Sequence, residues 1–220
     1  MKKVLNIVAR ILGGIFYPLW IPTYGMLLYC VTISKLYTLN STLSTLNYTL
    51  PYMLIALLGT LFFTGIVPFV AILILIRRKQ VTDLYISNPQ ERTSPYLYTL
   101  CSFGFWCYFL YAVMHIPSFF LYSAIGATVA LGLVMVINKR WKISAHLTGF
   151  GGLIGGIFSW FLYCNFMPAA GFVALLLGVA LLLMYSRLYV NAHTPLQVVC
   201  GLLLGILFTF VPNLILTYAK

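Results

Sequence analysis

The chain has 220 residues, of which 62% are hydrophobic and only 7% are charged, and its mean hydropathy is +1.02. Soluble domains carry about 25% charged residues, and a soluble fold of this length could not bury so much apolar surface. The composition therefore excludes a soluble protein and predicts an integral membrane protein. Neither a linker-like segment nor a solenoid-type repeat divides the chain, so we expect a single membrane domain over residues 1–220.

The net charge of +11 comes from 13 lysines and arginines against two acidic residues, Asp83 and Glu91. Strongly basic proteins often bind nucleic acid. Here, however, the positive residues lie in short clusters beside apolar segments, which is typical of topology signals and of contacts with anionic lipid head groups. We therefore expect the bilayer, and not nucleic acid, as the partner. The many tyrosines and tryptophans suit membrane interfaces and indicate no cofactor site, and the oligomeric state is left open.

In chain order, the first predicted span follows the basic segment Met1–Arg10 and ends near Ile33. A secretory signal peptide is the alternative, but an arginine and two prolines interrupt the segment and it has no small-x-small cleavage site. Residues 34–50 form a polar loop, and a second span over 51–76 stops at the basic run 77–79. In the next polar stretch, Asn88–Glu91 has the pattern of a helix start, and Ser94–Pro95 has that of another.

Five further spans are predicted, at about 96–114, 118–138, 147–164, 168–185 and 195–216. Each is close to the ~20 residues that cross the hydrocarbon as a helix. The sequence thus predicts an all-α polytopic transmembrane bundle of six or seven spans. Glycines at 151, 152, 155, 156, 201 and 205 have the small-xxx-small spacing that allows close helix packing.

Three polar clusters, around Arg92, His146 and His193, are separated from one another by two predicted spans each. All three are therefore expected on the same side of the membrane, as is the N-terminus. That side also carries most of the lysines and arginines, so the positive-inside rule makes it cytoplasmic. The expected location is a bacterial inner membrane with the site towards the cytoplasm, and the periplasmic face is the alternative.

The most informative cluster is residues 186–197, which join two apolar segments. Thr194, Pro195 and Gln197 have the pattern of a capping box, so His193 should immediately precede a helix N-terminus, where backbone N–H groups favour anions. Arg187 could add a bidentate contact to the same anion. A neutral histidine beside a bound phosphate is a plausible nucleophile.

The second cluster also opens a helix. Here Lys142 supplies charge, Ser144 is able to cap the helix or bind a phosphate oxygen, and His146 is able to act as an acid or a base near neutral pH. The third cluster contributes Arg92, with Glu91 beside it. Arg92 could equally be an anchor of the positive-inside type.

The spacing of residues in these three clusters resembles that of a known family. Ser186-Arg187, followed after five residues by His193, resembles the third motif, SRxxxxxHxxxD, of the type-2 phosphatidic acid phosphatase superfamily, whose members are membrane lipid phosphatases related to vanadium haloperoxidases. Ser144-Ala145-His146 is similar to the second motif, PSGH, and Arg92 corresponds to the arginine of the first, KxxxxxxRP. The resemblance covers a core of about residues 77–205.

The resemblance implies a mechanism that requires no metal. His193 would attack phosphorus and form a phosphohistidine, His146 would protonate the leaving alcohol, and the phosphate oxygens would be bound by the cationic and hydroxyl side chains, namely Arg92, Lys142, Ser144 and Arg187. The substrate would be a lipid phosphate monoester or diphosphate. Gln197 and Thr194 would support the site.

The sequence departs from the family pattern at three points. Gln197 stands where an aspartate normally orients the nucleophilic histidine. The first motif lacks its lysine, for which Lys142 or Lys79 could substitute, Lys142 being preferred because it lies two residues from Ser144. The predicted seven spans exceed the usual six. Two alternatives therefore stay open: a lipid phosphotransferase, and a catalytically degenerate protein that binds anionic lipid.

Overall fold

The structure, a computed structural model, describes residues 2–39, 50–84, 86, 88–163 and 168–218. Within these ranges it is entirely helical and has no strand, as the composition predicted. The eight helices are α1 (Lys2–Ile15), α2 (Ile21–Leu39), α3 (Leu50–Arg77), α4 (Thr93–Val113), α5 (Ser118–Ile137), α6 (Ala145–Tyr163), α7 (Ala170–Tyr189) and α8 (Pro195–Tyr218). Helices α3 and α4 each contain a short π-helical segment, Leu61–Ile66 and Phe109–Val113 respectively.

Among the described residues, six helices, α3 to α8, are long and apolar enough to cross a membrane. Their exposed surface is rich in leucine, isoleucine, valine and aromatic side chains. In a soluble protein that surface would be unfavourable, but in a bilayer it is the surface that faces lipid. The fold is therefore that of an integral membrane protein with six long apolar helices.

The prediction of one continuous first span is wrong. The structure divides this stretch into two helices, α1 and α2, separated by a turn near Pro18. Proline disfavours the helical conformation of the residue before it and removes a backbone donor, which explains the break. Helix α2 enters the bundle beside α6, since Ile21 packs with Phe150 near the start of α6 and Tyr29 packs on Trp160 near its end.

The predicted helix start at Asn88–Glu91 forms, with Oδ1 of Asn88 accepting the N–H of Gln90 at 3.1 Å, but it continues only as a single 3₁₀ turn, Pro89–Glu91. Its polar groups are used within the loop instead. Glu91 accepts hydrogen bonds from the backbone N–H and the hydroxyl of Thr82 and from the side chain of Asn88, at 2.7, 2.9 and 3.0 Å. The hydrogen bond from the Thr82 backbone is the main reason why the pKa of Glu91 is lowered. Helix α4 begins after this turn, at Thr93.

The closest packing in the bundle is between α6 and α8. An added Cβ at Gly151 would overlap the backbone of Leu202, and one at Gly205 would overlap the backbone of Thr148. Gly155 and Gly201 have similarly close neighbours, whereas Gly152 and Gly156 do not. The predicted role of these glycines in helix packing is thus confirmed for four of the six. As a consequence, α6, which follows the second motif, and α8, which follows the third, begin side by side.

Candidate active site

Five of the predicted side chains line the same end of one large cavity. The cavity has a volume of about 900 Å³, and the five residues are Arg92, Lys142, His146, Arg187 and His193. They come from three connecting segments and from two helix ends. The structure therefore brings the three polar clusters to one place, at the end of the bundle where α4, α6 and α8 begin and α5 and α7 end.

His193 occupies the loop before α8, and its Nδ1 has two acceptors. These are the backbone carbonyl of Lys142 at 3.1 Å and Oε1 of Gln197 at 3.3 Å. A carbonyl oxygen only accepts, so Nδ1 carries the proton and Nε2 keeps the lone pair. Oε1 of Gln197 also accepts the backbone N–H of Thr194 at 3.1 Å, while the Thr194 hydroxyl accepts the N–H of Gln197 at 3.5 Å. The capping box is thus formed, and the same glutamine orients His193.

The ionisation of His193 follows from its surroundings. Burial lowers its pKa to about 4, and the charges of Lys142 and Arg92 act in the same direction, against the opposite effect of its two hydrogen bonds. The imidazole is therefore neutral at pH 7, which is the state a nitrogen nucleophile needs. The pKa of Lys142 is also lowered, mainly by burial and then by the charge of Arg92.

Arg92 is held rigidly, with only 7% of its surface exposed. Its Nε donates to the carbonyl of Ile86 at 3.0 Å, and its Nη1 donates to Oδ1 of Asn138 at 2.8 Å. Asn138 in turn donates to the carbonyl of Val134 at 2.9 Å. The end of α5 thereby fixes the direction of an arginine that lies 46 positions earlier in the chain.

Arg187 and His146 are both connected to the N-terminal helix. Arg187, which is 5% exposed, donates from Nε to the Ser186 hydroxyl at 3.1 Å and from Nη2 to the carbonyl of Ala9 at 2.8 Å. Nε2 of His146 lies 3.1 Å from the carbonyl of Gly13 and must be the protonated nitrogen. The ring of Tyr17 packs edge-on against His146, with centroids 5.7 Å apart.

Four predicted residues lie outside the cavity lining, namely Gln197, whose contact with His193 is given above, and Ser144, Thr194 and Lys79. Ser144 is fully buried; its hydroxyl accepts the N–H of Leu147 at 3.4 Å, and its own N–H donates to the carbonyl of Gln197 at 3.3 Å. It therefore caps α6 and ties it to α8. Thr194 is an exposed cap of α8, and Lys79 is an exposed residue after α3. Of the two candidate replacements for the first-motif lysine, only Lys142 lines the cavity.

Sequence reasoning missed several groups at the site. Arg10 and Asp83 also line the cavity, Asn138 orients Arg92, and the backbone of α1 contacts Arg187 and His146. The sequence carried one signal for the α1 contact, because Ala9 and Gly13 are small residues at a spacing of four, as in closely packed helices. Nothing in the sequence singled out Asn138.

Electrostatically, this end of the cavity favours an anion. Within the described ranges, four permanently or usually cationic side chains line the cavity, Arg10, Arg92, Lys142 and Arg187, against one carboxylate, Asp83. Burial strengthens the attraction of such charges for an anion. A neutral histidine with an unprotonated Nε2 stands beside them. This arrangement defines a membrane protein with an anion site that contains a candidate nucleophile.

The family comparison agrees with this class. Residues 123–219 match the PAP2 superfamily, which confirms the resemblance to the type-2 phosphatidic acid phosphatase superfamily and is consistent with membership of it. The matched region contains the second and third motifs but begins after Arg92. Members of this superfamily are generally phosphatases, and the match therefore indicates phosphatase-type activity. No curated protein and no solved structure is significantly similar to the chain.

Proposed function

We propose that the protein hydrolyses a lipid phosphate monoester or diphosphate through a phosphohistidine intermediate. The observation that carries the proposal is the composition of the cavity. Its polar end holds the five residues described above, while the remainder continues into the bundle between apolar side chains such as Phe103, Trp106 and Trp160. A phosphate joined to a hydrocarbon chain matches both environments, whereas a water-soluble phosphate ester would match only one.

In the proposed reaction, Nε2 of His193 attacks phosphorus, a P–N bond forms and the P–O bond to the lipid breaks. Nδ1 of His146, which takes up a proton once the negatively charged phosphate is bound while Nε2–H stays bonded to Gly13, gives this proton to the departing alkoxide. Arg92, Lys142 and Arg187 stabilise the negative charge on the phosphoryl oxygens. Water then attacks the phosphohistidine, loses a proton to His146 and releases inorganic phosphate. Every step uses groups of this chain and water.

Ser144 takes a different part in this scheme from the one that the resemblance implies. Its hydroxyl caps α6 and it does not line the cavity. We therefore assign it the support of His146, two residues further on, and not a contact with phosphate. The first-motif lysine is assigned to Lys142, because its charge lies in the same cavity as Arg92.

We further propose that the site faces the cytoplasm. The same end of the bundle carries the basic runs that follow α3 and α5, at 77–79 and 139–142, together with Arg10. Positive residues in short loops are retained on the cytoplasmic side. This orientation supports access to lipid phosphates of the inner leaflet.

One observation favours a second candidate, a non-catalytic protein that binds anionic lipid. Gln197 accepts a hydrogen bond from Nδ1 of His193 but carries no charge to stabilise the imidazolium-like state formed during attack. A cationic cavity with an ineffective nucleophile would still bind lipid phosphates. The two candidates predict the same binding and differ in turnover.

The experiment is phosphate release by purified protein from a panel of lipids in mixed micelles. The panel contains phosphatidate, phosphatidylglycerophosphate, a prenyl diphosphate and a lipid A phosphate, with p-nitrophenyl phosphate as a soluble ester. His193→Asn is the test variant. His115→Asn is its matched control, because His115 is exposed at the opposite end of the bundle and asparagine tolerates its positive φ of 46°.

At least one lipid should be hydrolysed faster than the soluble ester, and His193→Asn should abolish release while His115→Asn retains it. Binding of the preferred lipid should persist in both variants. Release by His193→Asn at the wild-type rate would exclude the phosphohistidine route. Lipid binding without release by the wild type would establish the non-catalytic candidate instead.

A further inference from the structure

The N-terminal helix α1 contacts the site through its backbone and not through its side chains. The carbonyl of Ala9 accepts from Nη2 of Arg187, and the carbonyl of Gly13, one turn later, accepts from Nε2 of His146. Carbonyls inside a helix normally accept only from the residue four positions ahead. The Ala9 carbonyl thus accepts in addition to its helical bond, whereas Gly13 lies in the last turn of α1, where the N–H of Tyr17 goes to Gly14 instead. Both carbonyls serve side chains that line the cavity.

The approach is possible only because small residues face the site. Ala9 and Gly13 are both buried. A Cβ at Gly13 would overlap the guanidinium of Arg187, whereas one at the adjacent Gly14 would meet nothing within 4 Å. The backbone of α1 therefore comes closer to Arg187 than any helix with a side chain at position 13 could.

The opposite side of α1 is apolar and exposed. Val4, Val8, Ile11 and Ile15 follow one another at spacings of three and four, Ile7 lies beside Val8, and all five are 45–62% exposed. Together with Arg10, this pattern is that of an amphipathic helix lying at a bilayer surface, with its apolar face in the acyl region. In a bilayer, lipid would cover the outer face of α1, while Arg187 and His146 hold its inner face. The helix lies outside the matched family region.

We propose that α1 is a positioning element of the active site, in which the carbonyls of Ala9 and Gly13 fix the guanidinium of Arg187 and the tautomer of His146. The inference rests on the proposed phosphatase function. With Nε2–H of His146 donated to Gly13, the second nitrogen, Nδ1, keeps its lone pair, and the ring is prevented from turning away from the cavity. The guanidinium, held at Nη2 and Nε, presents a defined edge to the phosphate.

The test compares Gly13→Ala with Gly14→Ala. Both substitutions add one methyl group to α1 and raise helix propensity equally, but only the first displaces the Arg187 guanidinium. We expect Gly13→Ala to lower kcat for the preferred lipid by roughly 10- to 100-fold, since small misplacements of catalytic groups have effects of that order. The matched variant, Gly14→Ala, should retain wild-type kcat.

Three readouts separate positioning from loss of structure. A substrate with a good leaving group needs little general-acid help, so Gly13→Ala should reduce hydrolysis of p-nitrophenyl phosphate less than hydrolysis of the lipid. The ¹⁵N chemical shifts of His146 should report a proton on Nε2 in the wild type and in Gly14→Ala, and a change in Gly13→Ala. Thermal unfolding in detergent should give similar midpoints for the two variants.

Each alternative result has a definite meaning. Equal kcat and equal His146 shifts in the two variants would refute the positioning role. A higher kcat in Gly13→Ala would also refute it and would make α1 an inhibitory contact. If the wild type hydrolyses no phosphate ester but the His146 shifts change only in Gly13→Ala, the positioning contact stands and the proposed function fails.

Discussion

The side-chain oxygen of Gln197 both completes the cap of α8 and orients His193. This Oε1 receives the N–H of Thr194, which caps α8, and also the Nδ1–H of His193. Because the nitrogen atom of an amide cannot accept, these two donors fix both the direction of the Gln197 amide and the tautomer of His193. The side chain therefore orients the candidate nucleophile without adding charge to it.

We predict that Gln197→Glu raises the pKa of His193, because a carboxylate in the same position stabilises the imidazolium by roughly one to three pKa units. In the wild type the pKa is about 4, so activity should fall only when the pH approaches that value. In Gln197→Glu, the acidic limb of kcat/KM should move to higher pH by the same amount as the pKa. The pH profile and the ¹⁵N titration of His193 measure the two quantities independently.

Thr194→Ala provides the control for this prediction. It removes the cap hydroxyl, at a cost of about 1 kcal/mol of stability, but leaves both acceptors of Nδ1 in place. The acidic limb should therefore stay at its wild-type position. If Gln197→Glu left the His193 pKa unchanged, the contact between the two side chains would not exist in solution.

At the scale of elements, the sequence predicted the scaffold of the second and third motifs but not the role of the first helix. Glycine spacing indicated close packing, and Gly151 and Gly205 indeed lie against backbone of the facing helix. Helix α1 joins the basic segment Met1–Arg10 to the beginning of the first predicted span, although its apolar residues have the spacing of an amphipathic surface helix. Its carbonyl contacts depend on tertiary structure, which residue types do not report.

We predict that Gly205→Ala destabilises the protein by about 1–3 kcal/mol, the range found when a tightly packed interface is overfilled. The added methyl group would overlap the backbone of Thr148 and Gly152, which is unable to move aside as a side chain could. The measurement is the free energy of unfolding in detergent. Because the same interface joins Ser144 to Gln197, phosphate release should fall as well.

Gly178→Ala is the matched control for Gly205→Ala. Gly178 lies within α7, and an added Cβ there has no neighbour within 4 Å. The free energy of unfolding of the Gly178→Ala variant should equal that of the wild type or be slightly higher, because helix propensity favours alanine over glycine. Equal stabilities of the two variants would mean that α6 and α8 do not pack as closely as the structure has them.

At the scale of the whole molecule, the sequence predicted which clusters share a side of the membrane, since that follows from counting spans. Arg92, Lys142 and His193 do line one cavity. The extension of the cavity into the bundle was not predictable, because it depends on which of many apolar side chains leave space between helices. Hydropathy distinguishes lipid from water but does not distinguish a filled interior from a hollow one.

The orientation of the bundle can be tested by cysteine labelling in a background without the five native cysteines. Arg78→Cys and Arg140→Cys place exposed thiols at the site end, and Ser118→Cys places one at the other end, at the start of α5. A membrane-impermeant maleimide added to intact cells should label Ser118→Cys alone, because the basic residues hold the site end in the cytoplasm. After permeabilisation all three should react. The opposite labelling pattern would mean that the clusters share one side of the membrane but that this side is the outer one. Different labelling of Arg78→Cys and Arg140→Cys would place the clusters on different sides of the membrane and remove the basis for a common phosphate site.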